Sequence, residues 1–251
     1  MTRVLTELRR RSPALLALTA IHVALLATLV CALQIDAMQV LGIARWIKPA
    51  KFAISIAIYL ATIAWLLPAT GLTARTRRRL VGVIGVTMTL EVIAITVQAA
   101  RGTTSHFNVA TLFDAVIFQS MGVAILLNTI AAGWLCVGAF RMLRLEPTGY
   151  QAGVAVGFAV FLMGSVIGGW IVGNFAHTIG APDGGPGLPF VNWSTTAGDL
   201  RIAHFVGMHA LQGLPVIGAW FGRRAVYGVT LVWVLVTVAL AVQAAMGRPL
   251  V

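Results

Sequence analysis

This sequence has little charge, and acidic charge above all. Aspartate and glutamate together number 7 against 18 lysines and arginines, and charged residues of all kinds make up 10% of the 251 positions. Soluble domains carry about 25% charged residues. The shortage here, beside 59% hydrophobic residues and a mean hydropathy of +0.92, excludes a soluble domain and implies an integral membrane protein. Cysteine is scarce as well. Cys31 falls near the outer end of the first apolar run and Cys136 near the inner end of the fourth, and cysteines at opposite membrane depths cannot form a disulfide. Lysine occurs only at Lys48 and Lys51, which excludes a retinal-type Schiff base deep in the last apolar segment. HExxH, CxxC, a nucleophile elbow, a phosphate loop and a dinucleotide fingerprint are all missing, and the hydrolase and nucleotide-binding classes they mark go with them. No linker or low-complexity tract divides the chain, so residues 1–251 read as one transmembrane helical domain.

What is present is a series of apolar runs long enough to cross a hydrocarbon core of ~30 Å as helices. They cover about residues 13–33, 51–68, 80–100, 111–140, 151–173, 200–220 and 225–246. The predicted fold is therefore all-α, a polytopic bundle of seven transmembrane helices. The first run resembles a signal peptide in following a basic stretch, but it is span-length and lacks a small-residue cleavage pattern, so it reads as a span. The net charge of +11 reflects placement. Arg3, Arg9, Arg10 and Arg11 precede the first span, Arg75, Arg77, Arg78 and Arg79 the third, Arg141 and Arg144 follow the fourth, and Arg223 and Arg224 the sixth. All fall on one side. The positive-inside rule makes that side cytoplasmic, giving N-in/C-out topology in the plasma (inner) membrane, with 34–50, 101–110 and 174–199 facing outward. The partner this charge implies is the lipid bilayer, including its anionic lipids, and not nucleic acid.

Gly153, Gly157, Gly164 and Gly168 recur at spacings of four, seven and four in the fifth span. They share one face and let a neighbouring helix approach closely. The outward segment 174–199 is long and rich in Gly and Pro, with Phe190 and Trp193 as interfacial anchors, and a loop of that length inside a bundle marks function or disorder. A faint similarity pairs 113–126 with 198–211, where Asp114, Ile117, Gly122 and Leu126 match Asp199, Ile202, Gly207 and Leu211.

Polar residues inside the spans are the functional signal, because an ionisable group in a membrane is costly and is retained for a reason. On span six, Arg201, His204, Met208 and Gln212 share a broad face, with His209 beside it. Glu91 falls about 14 Å below the outer end of span three, the same depth as His209 in span six. Thr87 and Gln98 lie on the face of Glu91; Lys51, Ser55, Tyr59 and Thr62 stripe span two; and Asp114 opens span four just after Arg101, His106 and Asn108. The isolated His22 reads as an interhelical hydrogen bonder.

The reading that follows is an intramembrane enzyme acting by acid–base, or metal-assisted, chemistry on a lipid-like or isoprenoid small molecule. Its cavity would lie in the outer half of the bilayer, on the extracytoplasmic face. Glu91 would donate or accept the proton, His204 and His209 would relay it, and Asp114 and Asp199 would orient them. Arg101, His106, Arg201, Gln98, Lys51 and Trp193 would bind substrate. A metal ion, if one is the cofactor, would draw on His204, His209, His106 and His177. His204 and His209 are five apart, about 140° around a helix, which suits a single metal poorly, and haem finds no axial pair. The alternatives are a small proton-coupled transporter using the same carboxylate and a haem- or metal-binding redox or assembly protein. The bundle could also work as an oligomer or inside a larger membrane complex.

Overall fold

The computed structural model describes residues 2–250. Its helices are α1 (Thr2–Arg11), α2 (Pro13–Ile35), α3 (Ile47–Leu66, continued by a 3-10 turn, Leu67–Thr70), α4 (Ala74–Ala100), α5 (Leu112–Leu145), α6 (Gly149–Asn174) and α7 (Leu200–Ala245). Two short antiparallel ribbons complete it, β1 (Gln39–Val40) with β2 (Ile43–Ala44), and β3 (Thr178–Ile179) with β4 (Gly198–Asp199). Among the described residues six helices are long and apolar enough to cross a membrane. Large apolar side chains such as Val86, Leu126, Trp220 and Leu231 stand exposed along these helices; hydrocarbon solvates such a surface and water does not. The chain packs as two compact units, Met1–Pro68 with Leu72–Ala131, and Ala69–Gly71 with Ala132–Val251.

In the first unit, side-chain caps start α2 and α4. Ser12 caps α2 by accepting from Leu15 N at 3.4 Å, just before Pro13, whose missing N–H costs nothing at a helix start. Thr73 does the same for α4 through Thr76 N at 3.3 Å. Helix α1 is tied down by Arg11, whose guanidinium lies 4.3 Å from the Trp65 ring centre and donates to the Trp65 carbonyl. Glu7 pairs with Arg10 and Arg11, and hydrogen bonds from both hold its carboxyl down at about 2. Leu15, Leu60, Ile63, Ile84 and Ile95 form the fully buried apolar core. At the other end of α2, Asp36 accepts from Met38 N, Arg45 and Trp46 Nε1, in that order of effect, and these bonds hold it below the usual carboxylate range. His22 departs from expectation: its Nδ1 donates to Leu18 O of its own helix at 2.8 Å. A carbonyl one turn back is within reach of any helical side chain with a short donor arm.

In the second unit the glycine face of α6 lies against α7. A Cβ added at Gly153 would come within 2.3 Å of the Leu214 carbonyl oxygen, and one at Gly164 within 2.9 Å of Met208 N. Only glycine allows backbones that close. Helix α7 is not one straight rod. Gly222 has φ 79° and ψ −179°, a conformation essentially confined to glycine, and the chain folds back there. Trp233 Nε1 donates to Val206 O at 2.8 Å, and a Cβ on Gly207 would touch Thr237 at 3.5 Å. The residues before and after Gly222 thus pack as an antiparallel helical hairpin. Gly222 lies between the apolar runs 200–220 and 225–246.

Candidate functional site

The predicted functional residues fall in both units, and each cluster is built within its own unit. In the first, the loop between α4 and α5 is the positioning element. Loops ordinarily run over the surface, yet Ser105 and Asn108 in this one are buried. Asn108 holds it, donating to Thr103 Oγ1 at 2.9 Å and to Thr104 O at 3.1 Å, while its own oxygen accepts from Ala110 N at 3.1 Å. Phe107 takes a left-handed φ of 58°, a strained choice for a bulky residue, and its ring packs edge-on against Phe118 at 5.6 Å between centres.

The strained turn sets His106 against α4. His106 Nε2 lies 3.7 Å from Glu91 Oε1, its Nδ1 is 3.0 Å from Ser105 Oγ, and its ring centre is 5.9 Å from that of Phe52. Glu91 is 2% exposed. Its Oε2 has no hydrogen-bond partner among the described residues, and 3.7 Å is beyond hydrogen-bond length for Oε1. Lys48, in the first turn of α3, is a cation whose charge acts on it. A buried carboxylate with unspent acceptor capacity calls for a physical explanation. An unspent carboxylate oxygen beside a histidine is an arrangement able to hold and pass a proton.

Asp114, a second predicted group of this unit, is engaged at the start of α5. Asp114 receives Gln98 Nε2 at 2.8 Å and Arg101 Nη1 on Oδ1, and Thr111 Oγ1 at 2.6 Å on Oδ2. Thr111 Oγ1 in turn accepts from Asp114 N at 3.1 Å, so Thr111 caps the start of α5. Arg101 also donates to Gln98 Oε1. Lys51 is half-buried on α3. Sequence reasoning passed over Lys48 and Phe52 in favour of Lys51; the available signal was helical spacing, since Lys48 and Lys51 are neighbours on one face.

In the second unit, Asp199 caps α7. Its carboxylate receives Ser194 N at 2.8 Å, Arg201 N at 3.0 Å, and Arg201 Nε and Nη2 at 2.9 and 2.6 Å. Arg201 also donates to the Asn192 carbonyl, so this pair staples the end of the Gly/Pro-rich segment to the helix. His204 Nδ1 lies 2.8 Å from Gly164 O. A carbonyl only accepts, so Nδ1 carries a proton in this bond. His209 meets Phe205 edge-on at 4.2 Å between centres, and Phe205 meets Trp193 at 5.5 Å. His177 Nδ1 sits 2.6 Å from Asp183 Oδ2, and the backbone N–H groups of His177 and Thr178 donate to the same carboxylate at 3.1 Å. Burial acts to raise the Asp183 carboxyl, but the hydrogen bond and charge of His177 and these backbone donors hold it well below the usual range. Among the described residues no three His, Cys, Asp or Glu side chains come together in a group that could hold a metal. His204, His209, His106 and His177 each answer to the different partners just described.

Comparison of the chain with protein-family models, with curated proteins and with solved structures finds no match.

Proposed function

We propose that this protein is an intramembrane enzyme that moves a proton on a lipid-like or isoprenoid substrate, with Glu91 as the acid–base group. One observation carries the reading: Glu91 is buried, Oε2 is without a partner among the described residues, and Oε1 faces His106 at 3.7 Å. Glu91 exchanges the proton with the substrate. His106, its far nitrogen held against Ser105 Oγ, exchanges it with Glu91, and Lys48 balances the carboxylate charge. General acid–base catalysis by a positioned group contributes about 10²–10⁴-fold. Asp114, Asp199, Arg101 and Arg201 hold the loops and helix ends in place.

In this reading the chain crosses the plasma membrane seven times, the two arms of the α7 hairpin each crossing once, with the amino terminus in the cytoplasm. The basic ends of α1 and α4 favour that orientation, which sets Glu91 in the outer half of the bilayer.

A proton-coupled carrier is the second reading. It is favoured by a buried polar pair further along α3 and α5, Tyr59 Oη donating to Asn128 Oδ1 at 3.2 Å, which extends the polar interior beyond Glu91. One experiment tests both. Wild type and Glu91→Gln are reconstituted in liposomes of bacterial polar lipid supplemented with polyprenyl lipids, the lipids are profiled by mass spectrometry, and lumenal pH is followed with a dye. A lipid species converted by wild type and spared by the variant supports the enzyme. An unchanged lipid profile with proton flux that depends on Glu91 supports the carrier.

A further inference from the structure

Helices α4 and α5 leave a groove of 290 Å³ along their flank, lined by Leu90, Ala94 and Val97 on one side and Phe113, Ile117 and Ser120 on the other. On each helix these positions recur at three, four or seven residues, so each set forms a single face. Small residues hollow the groove out: Ala94, Ser120 and, beyond them, Ala124 stand where larger side chains would fill it. From Phe113 to Ala124 it runs about 16 Å along α5, close to half of a ~30 Å hydrocarbon core. That is the depth of one leaflet.

Arg101 stands at the end of the groove where Phe113 and Val97 lie. Its guanidinium carbon is 4.5 Å from the Phe113 ring centre, and the side chain remains 39% exposed. Within the protein it donates through Nη1 alone, to Gln98 and Asp114. The Nε and Nη2 edge, the fork that grips a phosphate through two parallel bonds, makes no hydrogen bond among the described residues. Asp114 is 3% exposed beneath it, so the surface presents the cation and not its counter-ion.

We propose that this groove binds one acyl chain of an anionic phospholipid, with the headgroup phosphate on the free edge of Arg101. An apolar trough of one-leaflet depth ending in an unspent guanidinium matches both parts of such a molecule, and this site stands apart from any reaction at Glu91.

The test is native mass spectrometry of the full chain extracted from vesicles of equimolar phosphatidylglycerol and phosphatidylcholine. One arginine near a membrane surface is worth ~1 kcal/mol toward an anionic lipid, about a fivefold preference. Wild type should retain phosphatidylglycerol over phosphatidylcholine by about that factor, and added inorganic phosphate should not displace it. The double variant Arg101→Gln, Asp114→Asn removes both charges together and leaves no orphaned carboxylate; it should lose the preference. Ala94→Trp fills the groove and should lose retention of both lipids, with Ser120→Leu as the milder filling should the first fail to fold. Glu91→Gln should leave retention unchanged. Equal retention of the two lipids by wild type, a preference that survives in the double variant, or retention indifferent to filling the groove would each overturn the proposal.

Discussion

Glu91 and His106 face each other at 3.7 Å across the junction of a membrane-length helix and a buried, strained loop, and the second carboxylate oxygen of Glu91 is unpartnered among the described residues. Glu91→Gln preserves the shape while removing the titrating group. Turnover should fall by about 10²–10⁴-fold, and the thermal midpoint should hold or rise, because a buried carboxylate with an unpartnered oxygen opposes folding. Activity and melting are measured on the same preparation. Full activity in a folded Glu91→Gln protein would remove the carboxylate from the mechanism.

The glycine face of α6 makes a sharper stability prediction, because the same helix contains its own control. Gly153→Ala would drive a methyl to 2.3 Å from the Leu214 carbonyl oxygen, whereas the position of a Cβ on Gly173 has nothing within 4 Å. Overpacking of this kind costs about 1–3 kcal/mol. Gly153→Ala should lower the thermal midpoint, and Gly173→Ala should leave it unchanged or raise it slightly, since alanine favours helix over glycine by ~1 kcal/mol. Equal midpoints for the two variants would show that α6 and α7 do not pack as tightly as this.

These two sites differ in how legible they are from sequence. The glycines could be read at once, because a spacing of four and seven fixes a helix face whatever the neighbour. The starts of α2 and α6 were legible for a similar reason, with Ser12 and Thr148 acting as caps close to where the apolar runs begin. Glu91 was legible from cost alone, since a carboxylate in an apolar run must be explained. Its partner was not. His106 reaches it through a left-handed turn at Phe107, and loop conformation leaves no periodic trace in the sequence. Conversely, Asp114 and Asp199 carry the same chemistry as Glu91 but sit at helix starts, where capping and an adjacent arginine absorb their acceptor capacity.

The bend in α7 rests on one residue. At Gly222 the surroundings are open, with nothing within 4 Å of an added Cβ, but φ is 79° and ψ −179°. Gly222→Ala therefore meets no clash and still strains the backbone, at about 1–3 kcal/mol. Trp233→Phe removes the hydrogen bond to the Val206 carbonyl that joins the two arms, worth ~1 kcal/mol. Both variants should melt earlier than wild type, and Gly228→Ala, also in open space but at no left-handed φ, should not. A Gly222→Ala protein as stable as wild type would mean that the helix runs straight through this position.

Asp183 supplies the pH dependence. Its carboxyl is held below the ordinary range, so the stability it lends the segment around His177 is present in full above the unfolded value of about 3.9. That stability is lost as the pH falls through the lower, folded value. The backbone amides of His177 and Thr178 donate to this carboxylate, which makes their hydrogen exchange the direct readout. Corrected for intrinsic rates, protection of both amides should not fall between neutral pH and about 4 and should decline below it. Asp183→Asn should lower that protection about tenfold at neutral pH, since a hydrogen bond to a charged acceptor is worth ~1.5 kcal/mol or more. The amides of β4 register the same loss, because Thr178 pairs with Asp199 and Ile179 with Gly198. Protection in the variant equal to wild type would instead place the hold on this segment in the Asp199–Arg201 staple.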